Sequence, residues 1–143
     1  MQTLFMIKPD GVQRNLTGRI LARIEEAGFT VRGVSLQQMS QADAEEFYAV
    51  HRERPFFPDL VTYMTSGPIV VCVLEHANAV QHLRDTIGAT DPAQAAAGTI
   101  RKDFGLSMQA NSCHGSDSEE NGQIEIAYWV KRGILLTPET VSA

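Results

Sequence analysis

Six consecutive apolar residues, Ile69-Val70-Val71-Cys72-Val73-Leu74, constrain the fold of this chain more than any other segment. Successive side chains of a strand point to opposite faces of its sheet, so a strand apolar at every position is buried on both. The run therefore reads as a central strand, entered from the breaker Ser66-Gly67-Pro68. Thr3-Leu4-Phe5-Met6-Ile7 is a second short apolar run of the same kind. Pro9-Asp10-Gly11 follows it and reads as a turn.

The remaining segments supply helices and further strands. Leu16, Ile20, Leu21, Ile24 and Ala27 share one helical face, which Gly28 should end. Thr30 to Leu36 alternates as a strand, with Val31 and Val34 as β-branched members. Ser40 and Asp43 have the spacing of a helix cap, ahead of a stripe of Ala44, Phe47, Tyr48 and His51. Leu60, Val61 and Met64 predict a short helix after Arg54-Pro55-Phe56-Phe57-Pro58. Asn78 is positioned to cap another that carries Val80, Leu83 and Ile87. Residues 88–99 form a long Ala/Gly/Pro-rich connection, of a length that in compact domains often serves function. Ser107 to Cys113 reads as a weak strand. From Ser118 to Val130 the pattern fits a strand through Ile124, Ile126, Tyr128 and Val130, or a helix through Ile124, Ala127 and Tyr128. The order is β-α-β-(α)-β-α-β-(α), an α+β sandwich with helices packed on a four-stranded sheet.

Composition closes off other classes. A chain of 143 residues is enough for one domain, 1–143, with its own core. No apolar run approaches the ~20 residues of a membrane span, and Met1 to Phe5 has no leader pattern. The net charge of −5 argues against a bulk electrostatic hold on nucleic acid. Cys72 and Cys113 are too few for a disulfide scaffold, and His51, His76, His82 and His114 lack metal-site spacing.

The segment Asn111-Ser112-Cys113-His114-Gly115-Ser116-Asp117 carries the most chemistry. Glycine beside His114 leaves the ring open, and a neutral imidazole is a nucleophile able to carry a phosphoryl group. Its other nitrogen would need an acceptor, such as the carboxylate of Glu125. The plainer reading is a surface-turn histidine. Lys8 ends the first strand, Arg84 lies in a helix and Arg101 follows the long connection. Phosphoryl transfer needs such cations to converge, although each alone would be an ordinary surface charge. Phe56 and Phe57, between prolines, either stack on a base or plug the core. Cys113 should point away from His114, into packing. No G-x-x-x-x-G-K-[ST] or G-x-G-x-x-G motif is present, so phosphate is not held by a P-loop or a dinucleotide fold.

Asn111 to Ser118 resembles the active-site signature of the nucleoside diphosphate kinase family. Met6-Ile7-Lys8-Pro9-Asp10-Gly11-Val12, Arg52-Glu53-Arg54-Pro55-Phe56-Phe57, Thr65-Ser66-Gly67-Pro68, Gly88-Ala89-Thr90-Asp91-Pro92 and Gly98-Thr99-Ile100-Arg101 resemble further family motifs in the same order. The resemblance runs from about residue 3 to about residue 130, and several ordered motifs outweigh the plainer readings at these positions. It implies a ferredoxin-like α/β sandwich with a four-stranded antiparallel sheet, and a helix at Ser118–Val130. It implies transfer of the γ-phosphoryl of a nucleoside triphosphate, typically ATP, to a nucleoside diphosphate of any base, in two half-reactions through a phosphohistidine. His114 matches the phosphorylated residue, Glu125 the carboxylate that orients it, and Ser116 a supporting hydroxyl. Lys8, Tyr48, Arg84, Thr90, Arg101 and Asn111 match positions that hold phosphate and ribose or line the pocket. Phe56 matches the base-stacking aromatic, and Leu60 and Met108 match apolar positions near the base.

The resemblance also implies Mg²⁺, bound through nucleotide phosphates and water, and a cytoplasmic homo-oligomer, tetramer or hexamer, built from dimers. It requires neither a membrane nor nucleic acid. Cys113 stands where the family often has a branched aliphatic residue, and Lys131 to Ala143 matches poorly. Ile134-Leu135-Leu136 in that tail suits a subunit contact or packing on the chain's own core. The alternative function is a non-catalytic nucleotide-binding regulator on the same fold.

Overall fold

The computed structural model describes residues 1–133, so the tail expectation at Ile134-Leu135-Leu136 lies outside the described residues. Strands β1 (Gln2–Ile7), β2 (Thr30–Gln37), β3 (Ile69–Glu75) and β4 (Cys113–Gly115) form one sheet in the order β2-β3-β1-β4. Every neighbouring pair is antiparallel. The apolar runs of β1 and β3 pair in the middle, with Phe5 opposite Cys72 and Ile7 opposite Val70.

Alternation along these two strands divides the core in two. On one face Leu4, Met6, Val71 and Val73 meet Met39, α3 (Gln41–Phe47), α4 (Phe57–Met64) and α7 (Glu119–Lys131) through Ala44, Met64, Ile126 and Trp129. On the other face Phe5, Ile7, Val70, Cys72 and Leu74 meet α2 (Thr17–Glu26), α5 (Ala79–Ile87) and α6 (Ile100–Phe104) through Ile20, Ile24, Leu83, Ile87 and Ile100. The helices bury both faces, which is why the central strands carry no polar alternation.

Several local expectations hold. Ser40 and Asp43 form a reciprocal capping box on α3. Gly28, at φ +99°, follows the last turn of α2. The segment from Ser118 onward is helical, with Ser118 capping α7 through the amide of Asn121. Others fail. Pro9-Asp10-Gly11 is not a bare turn but the start of α1 (Pro9–Gln13), because Pro9 sits at the first helical position, where its missing N–H costs nothing. Ser107–Cys113 is not a strand: only Cys113–Gly115 pairs, against β1 at Phe5–Ile7, and residues 107–112 form an irregular approach. Asn78 precedes α5 without a side-chain capping bond.

Candidate active site

The short strand β4 positions the central residue. Cys113 faces the α2/α5 core and is sealed in it, and burial pushes its thiol up to about 12. The next side chain, His114, faces the other way, with its ring edge-on to Phe47 and Tyr48 at 6.0 and 6.4 Å between centroids. Gly115 is required by close packing: a Cβ there would lie 2.8 Å from Ile87 and 3.1 Å from Leu83. That approach brings α5, with Arg84, down onto β4.

Two side chains hold the imidazole. His114 Nε2 lies 2.9 Å from Glu125 Oε1 on α7, and Ser116 donates its hydroxyl to the same oxygen at 2.8 Å. An ionised carboxylate only accepts, so Nε2 carries the hydrogen and Nδ1 keeps its lone pair. His114 lines a cleft of about 950 Å³, bordered by Lys8, Tyr48, Phe56, Leu60, Arg84, Thr90 and Arg101.

The cleft is cationic on an acidic protein. Lys8 is buried, and burial together with the charge of Arg101 lowers its ammonium to about 8. Arg101 donates to the carbonyl oxygens of Gly88 at 3.0 Å and Cys113 at 2.9 Å, which ties the long connection to β4. Burial lowers its pKa too, reinforced by Arg84, but a guanidinium keeps its charge throughout the physiological range. Gly88 sits at φ +93°, and a Cβ there would lie 2.5 Å from the Thr99 hydroxyl, so glycine alone permits this bend. Arg84 donates to the Asp117 carbonyl at 3.3 Å. Tyr48 is buried with its hydroxyl unpartnered among the described residues, and burial and Glu125 raise its pKa. Ser112 holds a left-handed backbone at φ +77°, and its carbonyl accepts the Lys8 amide at 2.9 Å.

Two expected residues lie elsewhere. Asn111 is buried behind the wall and donates its amide to the Thr90 carbonyl at 2.9 Å, with Oδ1 unpartnered among the described residues. Met108 is 62% exposed and stands off the wall. Phe56 and Phe57 divide the two roles weighed for the pair: Phe56 is 50% exposed on the cleft, and Phe57 packs on the core. The sequence reading missed Gln81 and Asp85, which line the cleft beside Arg84 and are joined by a 2.8 Å hydrogen bond. Their i, i+3, i+4 spacing on α5 was the signal. His51 was read only as part of a packing stripe, yet it borders the cleft next to Phe56.

An imidazole with one nitrogen tied to a carboxylate, facing converging cations at the edge of an α+β sheet, defines a phosphotransferase site by class. The sequence model of the family described as Nucleoside diphosphate kinase matches residues 1–134, and the chain belongs to that family. It is 57% identical over 130 residues to a nucleoside diphosphate kinase of Myxococcus xanthus, across 91% of this chain and 90% of that protein. It is 52% identical over 138 residues to one of Anaeromyxobacter sp. strain Fw109-5, across 96% and 94%. Among solved structures, the Aquifex aeolicus nucleoside diphosphate kinase superposes with a TM-score of 0.90 at 39% identity, across 94% of this chain and 98% of that one. A halophilic nucleoside diphosphate kinase from Halobacterium salinarum, in complex with CDP, gives 0.89 at 41% identity, across 96% and 91%. The protein is thus an enzyme that transfers a phosphoryl group between nucleotides, on a four-stranded antiparallel α+β sandwich. No described helix is long and apolar enough to cross a membrane.

Proposed function

We propose that His114 carries the phosphoryl group from a nucleoside triphosphate, typically ATP, to a nucleoside diphosphate in two half-reactions. The observation that carries this reading is the 2.9 Å bond from His114 Nε2 to Glu125, which leaves Nδ1 as the nucleophile at the cleft. Nδ1 attacks the γ-phosphorus, the bond from phosphorus to the β,γ-bridging oxygen breaks, and the nucleoside diphosphate leaves. An acceptor diphosphate oxygen then attacks the same phosphorus, and the P–N bond breaks. Glu125 stabilises the positive charge that grows on the ring, and Ser116 holds Glu125 in place. Lys8, Arg84 and Arg101 stabilise the phosphoryl oxygens, with Tyr48 and Thr90 beside them. Phe56 stacks on the base without reading its edge, so purines and pyrimidines are both accepted. Leu60 flanks it, and Asn111 supports the wall through Thr90; Met108, exposed off the wall, takes no role in this reading.

Mg²⁺ fits this site as a companion of the nucleotide. The described residues contain no group of three His, Cys, Asp or Glu that would hold an ion alone. The Asp85 and Asp117 carboxylates on the wall would meet its water shell. When bound, it offsets phosphate charge. The reaction is placed in the cytoplasm, where nucleoside triphosphates are made and consumed. The protein is proposed to assemble as dimers that build a tetramer or hexamer. Edge strand β2 supports this, because it leaves Val34 and Leu36 55% and 63% exposed beside unpaired backbone.

The deciding experiment is incubation with radiolabelled ATP and Mg²⁺. The wild type forms an acid-labile, base-stable phosphoenzyme that passes its label to an added diphosphate, and His114→Ala forms none. Equal labelling of the two proteins refutes the proposal. Light scattering gives the assembly.

A further inference from the structure

Lys8 stands at a junction that the reaction chemistry does not explain. Its carbonyl accepts the amides of Gly11 at 3.0 Å and Val12 at 3.2 Å, so it opens the five-residue helix α1. Among the described residues its ammonium has only one long bond, 3.5 Å to the Gln109 carbonyl. The Ser112 carbonyl holds the Lys8 amide on one side at 2.9 Å, but so short a helix on the other side is not stable by itself.

A buried pair fixes the start of that helix from outside. Asp10, in the first turn of α1, is buried, and its Oδ1 accepts the hydroxyl of Tyr63 in a short hydrogen bond. The same Tyr63 oxygen accepts the Asp10 amide at 3.1 Å, which satisfies one of the free N–H groups that begin a helix. Asp10 Oδ2 has no hydrogen-bond donor among the described residues; Arg14 approaches it at 3.8 Å. Tyr63 belongs to α4, whose opposite end begins at the cleft residue Phe56.

We propose that Asp10 and Tyr63 form a latch that positions Lys8, fixing its backbone and charge at the phosphate side of the cleft and tying that side to α4. The proposal rests on the reading of Lys8 as a phosphate ligand. The charges around Lys8 fit the assignment. Arg101 on α6 repels it, and the Cys113 thiol on β4 is neutral below about 12, so Asp10 is the anion that supports the ammonium. Tyr63 is held protonated by burial and by Asp10, so it remains a donor to the carboxylate, which Arg14 faces from the next turn. Asp10 and Tyr63 are positioning residues; neither lines the cleft.

The test is the pH profile of kcat/KM, which reports the groups of the free enzyme. Removing the Asp10 charge lowers the pKa of Lys8, so the alkaline limb moves to lower pH. In Asp10→Asn the limb should move down by on the order of half a pH unit, roughly a threefold loss at the alkaline end with little at the acidic end. In Tyr63→Phe the freed carboxylate can turn onto Arg14, and the limb should move the same way by less. Asp10→Glu should bring it back toward wild type. General loosening of the fold would lower activity alike at every pH. An unshifted limb in both variants overturns the latch. Should Asp10→Asn fail to fold, an unshifted limb in Tyr63→Phe overturns it alone. Lys8→Met separates the two readings: a wild-type rate in that variant refutes Lys8 as a phosphate ligand, whereas a slow Lys8→Met beside unshifted latch variants refutes only the latch.

Discussion

At the inner end of the cleft, Lys8, Tyr48, Arg101 and His114 are buried or half-buried. They hang from the junction of β1 and α1, the end of α3, α6 and β4, and backbone carbonyls or a carboxylate fix Arg101 and His114. At the outer lip, Phe56 stands half-exposed where α4 begins, with its ring against His51. The inner end is pre-organised in a low-dielectric surrounding, where fixed charges act strongly on the oxygens of a transferring phosphoryl group. The lip offers a flat apolar face, which every base can use. An enzyme that must treat all diphosphates alike needs this division: strict geometry where the substrates are identical, and tolerance where they differ.

The largest expected loss falls on the inner end. Arg101→Ala removes the proposed phosphate ligand and also frees the Gly88 and Cys113 carbonyls, so kcat/KM should fall by about a thousandfold, at the upper end of losses for one such donor. Steady-state kinetics check it, and an unchanged kcat/KM removes Arg101 from the site. Glu125→Gln keeps the shape but not the charge, and should slow single-turnover transfer by about a hundredfold while nucleotide binding changes little. Equal single-turnover rates for the two proteins would end the orienting role of Glu125.

The two ends also differ in how far they could be read from sequence. The central strands were legible because burial on both faces erases alternation in Leu4–Ile7 and Ile69–Leu74. β4 was misplaced because three residues with histidine and glycine among them carry no period. α7 was ambiguous because Ile124 is exposed, so its true buried set, Gly122, Ile126 and Trp129, was masked by a false alternation. α1 hid behind turn chemistry, since Pro-Asp-Gly serves a helix start as well as a turn. The inner end converges from Lys8, Tyr48, Arg101 and His114, and no local period reveals that a chain brings them together. Motif resemblance named them, and the structure shows them on one cleft. The Asp10–Tyr63 pair had neither a period nor a motif role to expose it.

The smallest effect belongs to the lip and sharpens the contrast most. Phe56 and Phe57 are adjacent and chemically identical, yet one faces the cleft and the other packs against the core that includes Val61 and Met64. Phe56→Ala should weaken every nucleotide by about tenfold, within the ~1–3 kcal/mol of one base–aromatic stack, with no ranking by base and no loss of thermal stability. Phe57→Ala should do the reverse, lowering the unfolding midpoint through a cavity worth about 2–3 kcal/mol, reduced from the fully buried case, while KM values barely move. Kinetics with a purine and a pyrimidine diphosphate, beside thermal unfolding of both variants, read the two effects separately. If Phe56→Ala discriminated between the bases, the lip would be reading base edges, and the division between a strict inner end and a tolerant lip would fail.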